Sequence, residues 1–232
     1  VNNAAKSFGS DPNGFGGGGI GASSATVTIA DSLIASNTAD NEYGGGGLYS
    51  LNSNVEVVRT TVDANTSTRY AGGIYNDGGS LSVLYSVVSN NHADAESGGI
   101  DSSAPSGDLL LVGTTVVGNS ATGRGGGITN WAGPATIVES TIQDNTSGDD
   151  GAGLYVTGSS NFGRADVTVI NTTFSGNVAA DRGGAIYNRR ASTLTVVNAT
   201  ITDNEAGTGG GIFNEADGST INVQNTIVAG NI

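Results

Sequence analysis

The chain has no Cys and no Met in 232 residues, only 3 Pro, and a single Trp and a single His. Without Cys there is neither a disulfide framework nor a thiolate metal site. Without Met, even at the first position, a processed or excised chain is expected. Basic residues are scarce as well, with 8 Lys and Arg against 21 Asp and Glu, a formal net charge of −13. A field of that sign repels nucleic acid and anionic lipid, so nucleic acid is excluded as a partner. It also disfavours bare polyanionic sugars unless a divalent cation bridges. No apolar run is long enough to span a membrane and no signal peptide is present, so no membrane insertion of this chain is expected. No window carries a sustained helical period.

What the chain has in abundance is Gly, at 39 residues, without the three-residue period of collagen. Val, Ile, Thr, Ser and Asn favour strands and turns. The chain also repeats itself. Glycines precede an apolar residue at Ile20, Leu48, Ile74, Ile100, Ile128, Leu154, Ile186 and Ile212, in steps of 28, 26, 26, 28, 26, 32 and 26. Each is followed by an Asn, at Asn37, Asn65, Asn91, Asn119, Asn145, Asn177, Asn204 and Asn231. Three residues before each Asn lies an aliphatic residue or Phe174. Eight and ten before it lie aliphatic residues again, Ala135 being the smallest. Five before it is Ser or Thr, except Ala199.

Alternation at the positions ten and eight before the Asn marks a strand, the run three before it a second, and the segment after the glycines a short third. Units of this length with no room for a helix predict an all-β fold, a right-handed single-stranded parallel β-helix of about eight coils forming one domain over residues 1–232. At a coil spacing of roughly 4.8 Å the rod is on the order of 40 Å long. An Asn at the same turn of every coil can donate and accept along the stack, which predicts an amide ladder. The glycines allow positive φ and close backbone approach at another corner. Residues 16–21 match a dinucleotide-binding fingerprint literally, but no helix pattern follows them.

The coils "GGAIYN" with "NTTFSGN", "GGGIFN" with "NTIVAGN", and "GGIYN" with "SVVSNN" resemble the right-handed β-helix repeats of bacterial polymorphic outer membrane proteins and related surface adhesin passengers. The resemblance implies an extracellular, cell-surface setting and a structural or adhesive role. The same fold also hosts polysaccharide lyases and hydrolases, which is the alternative reading.

Several columns could carry chemistry. The residue after each aligned apolar is Gly21, Tyr49, Tyr75, Asp101, Thr129, Tyr155, Tyr187 or Phe213, which predicts aromatic stacking. The next position holds Asn76, Asn130, Asn188 and Asn214, a second partial amide ladder. Glu96, Arg124, Asp150 and Arg182 alternate in sign up the stack. Length varies most between the aligned apolar and the next strand, so loops of different size line one edge, where function concentrates. There Trp131, Phe162, Arg164, Arg189 and Arg190 fall on three neighbouring coils and could hold a glycan by stacking and hydrogen bonding. Asp77, Asp101 and Asp108 share the variable edge of coils three and four and could converge for hydrolysis, although one such trio among 21 acids is expected by chance. His92 reads as an exposed corner residue. The regular columns outnumber any reactive constellation, so a structural role is expected rather than catalysis. No cofactor is expected, a surface Ca2+ being the one ion left open; no EF-hand or calcium-binding nonapeptide is present.

The ends predict the remaining partner. Asn3 reads as the ladder Asn of a preceding coil, and Asn231 is one residue from the other end. Either flanking coils of a longer surface protein are expected end to end, the favoured reading, or copies of the chain stack head to tail into an open filament.

Overall fold

The computed structural model describes residues 4–5, 16–40, 44–105, 107–158 and 163–232. Asn3 and Phe162 lie outside them. The described residues are all-β, and every strand pairing is parallel, in four sheets of eight strands. Within one coil the chain passes through all four: Leu48–Leu51, Asn54–Val58, Thr61–Asp63 and Thr66–Ser67. The aligned apolar residues pair in unbroken register from Ile20 and Leu48 through Ile186 and Ile212.

Two expectations change. A coil has four strands, not three. The fourth follows directly after the ladder Asn and is only two residues long in the first five coils, too short to leave a period in the sequence; it lengthens to Val178–Arg182 and Glu205–Thr208 in the next two. Seven coils are complete; the eighth has three strands, Ile212–Asn214, Thr220–Gln224 and Ile227–Ala229. A further strand, Ala4–Ala5, pairs with Thr38–Ala39.

The core is a column of apolar residues, aliphatic but for Phe174, filled by Leu48, Ile74, Ile100, Ile128, Leu154 and Ile186 from the first sheet. Val57, Val83, Leu111, Ile137, Val169 and Val196 come from the second sheet, and Val62, Val88, Val116, Ile142, Phe174 and Ile201 from the third. The Asn ladder is continuous. Nδ2 of each Asn donates to Oδ1 of the next at 2.8–3.0 Å, from Asn37 to Asn231. The same Oδ1 accepts the backbone N–H of the previous Asn, as Asn119 does from Asn91 at 3.0 Å. The second amide ladder reduces to one rung, Asn188 to Asn214 at 2.7 Å. Asn76 and Asn130 cannot reach each other because Ser102 stands between them in the register, and each bonds its own loop carbonyl instead.

The Ser and Thr five residues before each Asn form a ladder of their own. Thr60 Oγ1 donates to the Val58 carbonyl at 2.9 Å and accepts the Ser32 N–H at 3.2 Å. The glycine corner has two requirements. Gly183 has φ +67°, whereas a Cβ on Gly184 would lie 2.4 Å from the Glu205 carbonyl oxygen of the next coil, so no side chain fits.

Candidate functional site

The column after the aligned apolar faces away from the core, and the register sets its residues one above another. Two aromatic stacks result. Tyr49, Tyr75 and Tyr70 form the first, with ring centroids 5.5 and 5.4 Å apart. Trp131, Tyr155, Tyr187 and Phe213 form the second, at 6.2, 5.3 and 5.6 Å. Offset rings at these separations attract beyond their buried area.

Between the stacks the column holds Asp101 and Thr129, and there the face falls away into a cleft of about 350 Å³. Tyr70, Tyr75, Asp77, Glu96, Ser103, Pro105 and Trp131 line it. Asp101 is fully buried. Its two oxygens accept the hydroxyls of Ser97 at 2.7 Å and Ser103 at 3.1 Å. Burial pushes its carboxyl up to about 7, against these hydrogen bonds, with Glu96 and Asp77 adding repulsion. Burial also raises Asp77, which accepts the Tyr49 hydroxyl at 3.5 Å, and raises Glu96 against the pull of Arg124. The Tyr75 hydroxyl is held far above the usual phenol range by burial and then by Asp101 and Asp77.

The second stack is clamped by cations. Arg182 lies over Tyr187 and Phe213 at 5.2 and 5.6 Å, and Arg124 over Tyr155 at 5.8 Å. Arg189 sits 5.8 Å over Tyr187, with its Nη1 3.4 Å from the Tyr155 hydroxyl and its Nε 3.1 Å from Glu215. Glu215 also accepts the Tyr187 hydroxyl at 2.9 Å. Burial and this bond raise the phenol of Tyr187.

The sequence-predicted residues distribute over these features. Trp131 lies on the cleft, beside the acids. Asp77 lines the cleft and Asp101 lies beneath Ser103, whereas Asp108 is exposed on the adjoining connection. Arg189 is committed to the second stack. Arg164 is exposed, with Nη2 2.7 Å from Thr193 Oγ1. Arg190 is exposed at φ +50°, and its backbone N–H is held by Asp217 at 2.8 Å. His92 bonds Ser120 at 2.8 Å and Asp94 at 3.2 Å. The alternating charge column pairs Glu96 with Arg124 at 3.7 Å and Asp150 with Arg182 at 3.1 Å. Asp149, Asp150 and Asp181 offer three carboxylate oxygens within 4.8 Å, and each already pairs with Arg124 or Arg182 at 3.1–3.2 Å. Sequence reasoning missed Ser97, Ser103, Pro105 and Glu215. The hydroxyls flanking a buried-column Asp at 97 and 103 were the available signal.

Residues 171–189 match the Chlamydia polymorphic membrane protein repeat. The matched segment runs from the turn before the third-sheet strand Thr173–Ser175, through ladder Asn177 and the glycine corner, to the end of Ile186–Arg189. A parallel solenoid containing this repeat fits a β-helix repeat protein of the polymorphic membrane protein type. That repeat is associated with outer-membrane and surface proteins, which supports a cell-surface location loosely. No curated protein and no solved structure matches the chain. No helix among the described residues is long and apolar enough to cross a membrane, which says nothing of a β-barrel.

Proposed function

We propose that this chain is a rod segment of a bacterial surface protein, serving a structural and adhesive role. The observation that carries this reading is the matched repeat at 171–189, set in a solenoid whose other coils share its Asn, Ser/Thr and aliphatic columns. A rod of this kind holds loops away from a surface at fixed spacing, and its variable edge supplies the contacts. Antibodies raised against the purified chain provide the test. They should label intact cells of the source organism, and protease treatment of those cells should remove the signal. Labelling only after lysis overturns the reading. Incubation with acidic and neutral polysaccharides should give no new reducing ends or unsaturated products. Turnover abolished by Asp101→Ala would replace the structural role with catalysis.

A further inference from the structure

The cleft between the two aromatic stacks brings ring faces and carboxyl groups together. Tyr70, Tyr75 and Trp131 give it aromatic walls, and Asp77, Glu96 and Ser103 give it acceptors. Asp101 lies fully buried behind Ser103 and adds a third acid. All three carboxyls are raised by burial, and Glu96 and Asp77 each disfavour charge on Asp101. Two arginines stand at the margins, and both pull on the Glu96 carboxylate, leaving Asp77, among the described residues, as the cleft acid without a cation beside it. Arg124 stands 3.7 Å from Glu96 but is shared with Asp149, and Arg69 lies 5.2 Å from the centre of the Tyr70 ring. The cleft therefore carries negative potential over aromatic faces.

We propose that this cleft binds an organic ammonium group. An anion is repelled by the Asp77 and Glu96 carboxylates that line the cleft. A strongly hydrated metal ion gains little from the ring walls. A neutral sugar stacks on the rings but leaves the carboxylates uncompensated. An alkylammonium satisfies both, since its apolar methyl or methylene shell rests on the ring faces while its charge faces Asp77 and Glu96. The volume of about 350 Å³ suits one such headgroup with a short substituent. Arg69 on Tyr70 is an internal example of a cation seated on one of these rings. The proposal does not depend on where the rod is displayed.

Trp131 is the chain's single Trp, so its fluorescence reports occupancy of the cleft directly. The folded chain is titrated with choline, with 3,3-dimethyl-1-butanol as its uncharged carbon isostere, and with methyl glucoside. Choline should change the emission saturably, and the isostere should bind at least about tenfold more weakly. Asp77→Asn and Tyr70→Leu should each weaken choline by about fivefold or more with unchanged circular dichroism. Sedimentation with phosphatidylcholine vesicles, against phosphatidylglycerol vesicles, then separates a lipid headgroup from a free solute as the source of the ammonium. The proposal is overturned if isostere and choline bind alike, if only the sugar saturates, if no probe changes the emission, or if both variants keep full affinity. Should either variant fail to fold, the choline and isostere comparison on the parent chain still decides.

Discussion

Asn119 donates through Nδ2 to Asn145 Oδ1 at 3.0 Å and to the Val88 carbonyl at 2.9 Å. It accepts from both the backbone and the side chain of Asn91. Truncation strands buried groups on the two neighbouring coils, those of Asn91 and Val88 on one side and Asn145 on the other, at about 1–3 kcal/mol each. Asn119→Ala is therefore predicted to cost at least about 3 kcal/mol in urea denaturation, whereas Asn231→Ala, on the partly exposed last rung, should cost clearly less. Equal losses would show that the ladder is not what the Asn column contributes. Asp101 makes the opposite kind of prediction. Its carboxyl binds a proton more tightly folded, at about 7, than in a solvated chain near 3.8. Between those values the folded state holds the extra proton, so stability falls as pH rises, and above about 7 the full cost of the buried charge is present. The groups facing it are the hydroxyls of Ser97 and Ser103 and the carboxyls of Glu96 and Asp77. Asp101→Asn should be more stable than the parent at pH 8.5 by more than about 1.4 kcal/mol, one pKa unit's worth. The difference should shrink towards pH 5. Thermal melts across that range check it, and a pH-independent difference would rule it out.

At the scale of the element, the third-sheet strand is entered through a repeated corner. The residue six before each ladder Asn has positive φ in all eight coils, from Asp31 and Arg59 to Asn198 and Asn225, and only Gly113 among them is a glycine. The hydroxyl of the following Ser or Thr ties that corner to the coil below it. Ala199 interrupts this ladder, although its own N–H still reaches Thr226 Oγ1 at 3.2 Å. Ser86 and Ser140 show that a serine fits the same buried position. Ala199→Ser is therefore predicted to raise stability by about 1 kcal/mol, because the new hydroxyl gains the carbonyl of Val197 and offers an acceptor to the Thr172 N–H. Chemical denaturation of the two chains measures this, and a loss of stability would mean the site is too closely packed by its aliphatic neighbours.

At the scale of the whole molecule, charge opposes the fold. The net charge of −13 is spread along a rod whose ion pairs are mainly at the surface. An exposed pair such as Arg59 and Asp31 contributes little, because water and salt screen it. Self-repulsion of the excess carboxylates should outweigh such pairs, so screening helps. The melting temperature is predicted to rise as NaCl increases from about 10 mM to about 300 mM. A falling melting temperature would mean that the Arg124, Arg182 and Arg189 networks dominate stability.

The register of the solenoid was legible in the sequence because every coil returns to the same phase. A fixed distance between the aliphatic positions and the Asn places like residues one above another, whatever the loops do. That determined the parallel stacking, the Asn ladder, the aliphatic core and the aromatic column. The short fourth strand was not legible, since in most coils it is only a pair of residues and a pair has no period. Nor was the cleft. The sequence grouped Trp131 with Phe162, Arg164, Arg189 and Arg190 because they share a variable edge. In the fold Trp131 leans along the stack beside Tyr155 and lines the acidic cleft with Tyr70 and Asp77, while Arg189 turns to Glu215. Side chains just beyond a strand end are placed by loop length and by their neighbours' charges, and neither repeats. Periodicity therefore settled which residues share a column, and only the tertiary structure decided which edge residues meet across coils.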